Sequence, residues 1–104
     1  MSRREQLEEM LQADPGDPFL RYALAMDFAT SGETAAAEAR LSELIVDEPD
    51  YVAAYFQLGQ LHANQADPVS AIDVLDKGIA VAVRLGDRHA EGEMREFRDM
   101  LSSR

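Results

Sequence analysis

LAMDFATSGETAAAEARL (residues 24–41) aligns with LGQLHANQADPVSAIDVL (residues 58–75) at a fixed offset of 34. Leu24 pairs with Leu58, Ala25 with Gly59, Phe28 with His62, Ala37 with Ala71 and Leu41 with Leu75. A period of this length marks a helix–turn–helix unit stacked on a copy of itself. Each unit has an apolar face that only its neighbour can bury.

The second copy carries Tyr55, Leu58, Gly59, His62, Ala71, Leu75 and Gly78. The first carries Leu24, Ala25, Phe28, Ala37, Leu41, Leu44 and Pro49, with Arg21 opposite Tyr55. These positions resemble the tetratricopeptide repeat (TPR) pattern of a large residue, Leu with a small residue, an aromatic, a facing small residue and a closing proline. Arg21 and Val83 depart from it, at the large aromatic and at the closing proline. The resemblance covers about residues 18 to 85 directly. It implies an all-α fold, a right-handed α–α superhelical stack of about six helices. Two full repeats would be flanked by an N-terminal half-repeat helix and a C-terminal capping helix.

Outside the aligned stretches, the chain supplies matching punctuation. Ser2 and Glu5 have capping-box spacing, which predicts a helix over about Arg3 to Ala13 with Leu7, Met10 and Leu11 on one face. The echo reaches back here: Leu7 precedes Leu41, Met10 precedes Leu44 and Pro15 precedes Pro49. Asp17-Pro18 starts a second helix to about Thr30, closed by Ser31-Gly32. A third is expected over Thr34 to Asp47, where Ala37 allows close approach to Ala25. Asp50 is the expected cap of a fourth, from about Tyr51 to Gln65, and Asp67-Pro68 starts a fifth running to about Leu85. Gly78 inside that helix costs about 1 kcal/mol relative to Ala, so close approach by the final helix is expected there. After Gly86-Asp87, Ala90, Met94, Phe97 and Leu101 form one stripe, with Glu91/Arg95 and Arg95/Asp99 at ion-pair spacing. The expected division of this single domain is 1–17 half-repeat, 18–51 first repeat, 52–85 second repeat and 86–104 capping helix.

A chain of 104 residues with 46% hydrophobic content and no cysteine suits one domain without disulfides or zinc–thiolate sites. Acidic Glu5, Glu8 and Glu9 stand where a signal peptide needs its apolar core, and no run is long enough for a membrane span. A cytoplasmic location is the expectation. The net charge of −10 is localised: Asp14 to Asp76 holds 12 acids and 2 bases, while the ends hold 8 of each. Such a body repels phosphate backbones and anionic lipid, so neither nucleic acid nor a membrane surface is expected as partner.

No motif for catalysis is present. There is no phosphate-binding glycine loop, His-Glu-x-x-His helix or Gly-x-Ser-x-Gly elbow. His62 occupies the repeat's aromatic position and reads as packing, whereas His89 lies in a charged, solvated setting. Asp47/Glu48 and Asp73/Asp76 lack the further oxygen ligands a divalent cation needs and read as solvated faces. Met94 and Met100 read as core or cap. No enzyme activity, cofactor or metal is expected.

Proteins similar to this one use the first helix of each repeat to line a concave groove. Position by position, the resemblance places Phe19, Tyr22, Met26 and Thr30, then Ala53, Phe56, Gln60 and Asn64, on that surface. Aromatics, Met and neutral amides offer contact area with little charge to desolvate. The positions that hold Lys, Asn and Arg in carboxylate-gripping members are here Tyr22, Met26, Ala53, Phe56 and Gln57. Without a base among them, the expected ligand is an apolar or mildly basic peptide or helix of a protein partner. A homodimer built on the same apolar faces and an assembly chaperone for a specific partner are the alternatives.

Overall fold

Aspartates start three of the helices. Asp17 accepts from the Leu20 N–H at 3.1 Å, Asp67 from Ser70 at 3.1 Å and Asp87 from Ala90 at 3.0 Å. Each satisfies a donor that has no partner inside its helix. Pro18 and Pro68 take the first helical positions, where the missing N–H is harmless. The computed structural model describes residues 1–103. Its helices are α1 (Arg3–Ala13), α2 (Pro18–Thr30), α3 (Thr34–Asp47), α4 (Val52–Asn64), α5 (Pro68–Leu85) and α6 (Arg88–Ser102). Ser2 and Glu5 form the reciprocal capping box at the start of α1.

Two local expectations are corrected. Asp50 does not cap α4: Tyr51 holds the cap position without a side-chain bond, and the Asp50 carboxylate pairs instead with Arg84 of α5. A charge-assisted bond to a guanidinium outcompetes a neutral backbone donor for the same carboxylate. Arg95 pairs with Glu91 at 2.8 Å, while Asp99 meets Arg98 at 3.8 Å.

The helices form a right-handed superhelical stack in which α2 packs on α3, α4 on α5, and the two pairs meet through α3 and α4. Helix α1 lies against α2 at one end and α6 against α5 at the other, giving an elongated body of 43 × 29 × 19 Å. The fully buried Leu24, Leu41, Leu44, Leu75 and Met94 supply the core, each contributing about 1.5–3 kcal/mol by burial. Small residues set the crossings. A β-carbon on Gly59 would lie 2.8 Å from the Leu75 Cγ, so α4 and α5 approach at a distance that only glycine permits. The expected approach of the last helix to Gly78 is present, with the Met94 sulfur against it.

The departures from the repeat pattern have structural uses. Arg21, in place of the large aromatic, bonds Asp47 at the end of α3 at 2.9 Å. The corresponding Tyr55 in the second repeat donates its hydroxyl to the Pro49 carbonyl at 2.7 Å. Phe28 is stacked by the guanidinium groups of Arg4 at 4.0 Å and Arg40 at 5.1 Å, within cation–π range. His62, one period later, is largely buried, with its Nδ1 3.6 Å from Glu38.

Candidate functional site: the face of α2 and α4

Helix α2 has two apolar sides because it is packed on one and open on the other. Leu20, Leu24 and Phe28 turn toward α1 and its Leu7 and Leu11. Phe19, Tyr22, Met26 and Thr30 lie on the opposite side, within about 80° of one another at 100° per residue. Phe19 is 67% exposed, Tyr22 and Met26 are half-buried, and Thr30 is exposed with its hydroxyl donating to the Met26 carbonyl at 2.9 Å. Phe19 is therefore uncovered by the N-terminal helix.

Helix α4 continues this face one repeat later. Ala53 and Asn64 are exposed, and Phe56 and Gln60 are half-buried. Met26, Thr30, Gln60 and Asn64 come together with Ala29, Gln57 and Leu61 around a shallow cleft of about 200 Å³. No charged side chain lines it. Phe19, Tyr22, Ala53 and Phe56 lie outside this cleft, toward the N-terminal ends of the two helices.

Two aromatic neighbours escaped the sequence reading. The Tyr22 ring meets Tyr51 at a centroid distance of 5.4 Å, and Phe56 meets Phe97 of α6 at 6.0 Å, both tilted. These spacings are those of favourable aromatic pairs, so the half-buried rings are fixed in place. Phe97 was visible on the Met94 stripe, but its meeting with Phe56 depends on how α6 returns across the stack. Burial, then the neighbouring Tyr51, pushes the Tyr22 phenol above its ordinary range, so it stays neutral at physiological pH. The arrangement offers fixed rings and neutral amides, and no general base or nucleophile.

Three of the four acids in the pairs noted in the sequence are engaged in ion pairs. Asp47 meets Arg21, Asp73 meets Lys77 at 3.2 Å, and Asp76 meets Arg98. No group of His and acidic side chains suited to hold a metal occurs among the described residues. His89 is exposed beside Glu93. No helix among the described residues is long and apolar enough to cross a membrane.

Stacked helix pairs with a neutral aromatic face define a helical-repeat protein. The chain belongs to the tetratricopeptide repeat family. It is 30% identical over 93 residues to a TPR repeat-containing protein of Pseudomonas aeruginosa, covering 89% of each chain. The solution structure of a tetratricopeptide repeat domain protein from Salinibacter ruber superposes with a TM-score of 0.83 at 34% identity, over 86% of this chain and 91% of that one. A protein from Bordetella parapertussis superposes at 0.86 with 27% identity, over 99% and 90% of the two chains. The TPR2B domain of yeast Sti1, solved in a complex with pHsp70, shares the fold at 0.87 but only 19% identity, over 96% and 80%. No family model matches the sequence. Proteins of this fold are typically non-catalytic protein–protein interaction modules.

Proposed function

We propose that the protein holds a peptide or helix of a partner protein on the face formed by Phe19, Tyr22, Met26 and Thr30 of α2 and Ala53, Phe56, Gln60 and Asn64 of α4. The observation that carries this reading is the exposure of Phe19 on the side of α2 that also holds half-buried Tyr22, with Tyr22 braced by Tyr51, Phe56 by Phe97, and a cleft lined without charge farther along the two helices. An exposed aromatic on the same helix side as a neutral cleft gains more from a partner's apolar side chain than from water, and little charge must be desolvated. The TPR2B domain of Sti1 in its pHsp70 complex illustrates the same fold holding a protein. The lack of any base along this face favours an apolar or mildly basic segment over a carboxylate tail. The division into a half-repeat (1–17), two repeats (18–51 and 52–85) and a cap (86–104) belongs to the same reading.

The test is affinity capture from the native lysate with wild type beside Phe19→Lys/Asn64→Lys. Both positions are exposed, so the helical circular dichroism stays unchanged. A protein held by the wild type and lost by the variant supports the groove. Capture that survives both lysines overturns it.

A further inference from the structure

A cleft larger than the one on the proposed groove lies away from it. Helices α3 and α5 flank a space of about 490 Å³ floored by Tyr55 and Leu58 of α4, on the side of α4 opposite Phe56 and Gln60. That volume falls within the range of ligand-binding clefts. Ile45 and Val69 form its apolar walls, and Val69 is 79% exposed. A second depression of about 310 Å³ adjoins it through the shared Ser42 and contains Val46, 78% exposed.

Carboxylates surround this double depression. Asp73 lines the larger part with Lys77 as its intrahelical partner, and Glu38 stands beside His62 at its edge. Glu43 and Asp47 line the smaller part. Four acids therefore stand around two apolar openings, in the part of the chain that carries the whole net charge. Asp73 is paired with Lys77 and Asp47 with Arg21, which leaves Glu38 and Glu43 without a Lys or Arg partner among the described ion pairs. A second copy of the chain would bring the same acids against these, and each copy carries a charge of −10. Nucleic acid and anionic lipid meet the same repulsion.

We propose that this cleft between α3 and α5 is a second docking site, for a segment of a partner protein that presents two apolar side chains flanked by Lys or Arg. The apolar pair fills the depressions on either side of Ser42. The flanking cations meet Glu38, Glu43 and Asp73, which steer association and exclude acidic competitors. This surface is independent of the aromatic face, and one chain can hold two segments at once.

The test selects ligands from a random-peptide display library against the Phe19→Lys/Asn64→Lys protein, whose aromatic face is blocked. Enriched peptides are synthesised and titrated by fluorescence anisotropy. The expected winners combine spaced aliphatic or aromatic residues with Lys or Arg. Val69→Arg on one wall and Ser42→Arg on the other should each weaken their binding about tenfold or more. Both positions are accessible, and circular dichroism checks the fold of each variant. Glu8→Lys/Glu9→Lys on α1 alters the net charge away from the cleft and should change affinity less than about twofold at physiological salt. A selection without binders, winners lacking positive charge, binding indifferent to both arginines, or equal weakening by the α1 lysines would each overturn the proposal.

Discussion

Gly78 of α5 faces Tyr55 of α4 so closely that a β-carbon on Gly78 would lie 2.5 Å from the Tyr55 Cβ and 2.7 Å from the Met94 sulfur. The first obstacle sits next to the backbone of α4, so relief requires moving a helix. Overpacking of this kind costs about 3 kcal/mol at its upper end, against about 1 kcal/mol gained from helix propensity. Gly78→Ala is therefore expected to destabilise the protein by about 2 kcal/mol in urea unfolding. Gly92 of α6 meets nothing within 4 Å, and Gly92→Ala should stabilise by about 1 kcal/mol. Equal effects of the two substitutions would contradict this account of the α4–α5–α6 junction.

Ala66, between α4 and α5, has φ +59°, and its counterpart one period earlier is Gly32 at φ +79°. The left-handed conformation costs a non-glycine residue about 1–2 kcal/mol, partly offset by the greater freedom glycine loses on folding. Ala66→Gly should raise stability by about 0.5–1 kcal/mol, and Gly32→Ala should lower it by a similar amount. Space does not intervene at Gly32, where an added β-carbon touches nothing within 4 Å. Chemical denaturation of both variants checks the pair.

Most of the helix boundaries were legible because their signals are local. Asp17-Pro18, Asp67-Pro68 and Gly86-Asp87 each act within one turn, and the structure uses them as expected. Asp50 misled because its partner, Arg84, lies 34 residues away and outside the local cap rule. Periodicity separates the two apolar sides of α2, and the resemblance to the repeat family extends the candidate face to α4. The pairing of Tyr22 with Tyr51 and of Phe56 with Phe97 could not, since it depends on the angles at which helices return. The cleft between α3 and α5 was invisible for the same reason: no repeat register states how far apart two helices stand.

Arg4 clamps the first helix to the stack. Its Nε bonds Asp27 at 3.0 Å, its Nη2 reaches Glu33 and Ser31, and its guanidinium covers the Phe28 ring. Apart from this residue, α1 is held mainly by Leu7 and Leu11 against α2. Arg4→Met keeps the length of the side chain and removes every polar contact. Amide hydrogen exchange should then accelerate in α1 by at least about tenfold while α4 and α5 remain unchanged. Uniform acceleration along the chain would show that α1 and the stack unfold as one unit.

The cap of α5 makes part of the stability acid-sensitive. Hydrogen bonds from the Ser70 side chain and backbone, aided by nearby His62, hold the Asp67 carboxyl below its usual range. A depressed carboxyl binds its proton less tightly in the folded than in the unfolded chain. Its contribution is thus full above the unfolded value, about 3.9, and is lost as pH falls through the lower folded value. Asn caps a helix about as well as Asp but does not titrate. Asp67→Asn should match the wild type in thermal midpoint near neutral pH and lose less on acidification to about pH 3. The loss shrinks without vanishing, because Ser2 bonds depress Glu5 and the Arg84 bond depresses Asp50 in the same direction. Identical acid profiles for variant and wild type would remove Asp67 from the pH response and leave it to those two groups.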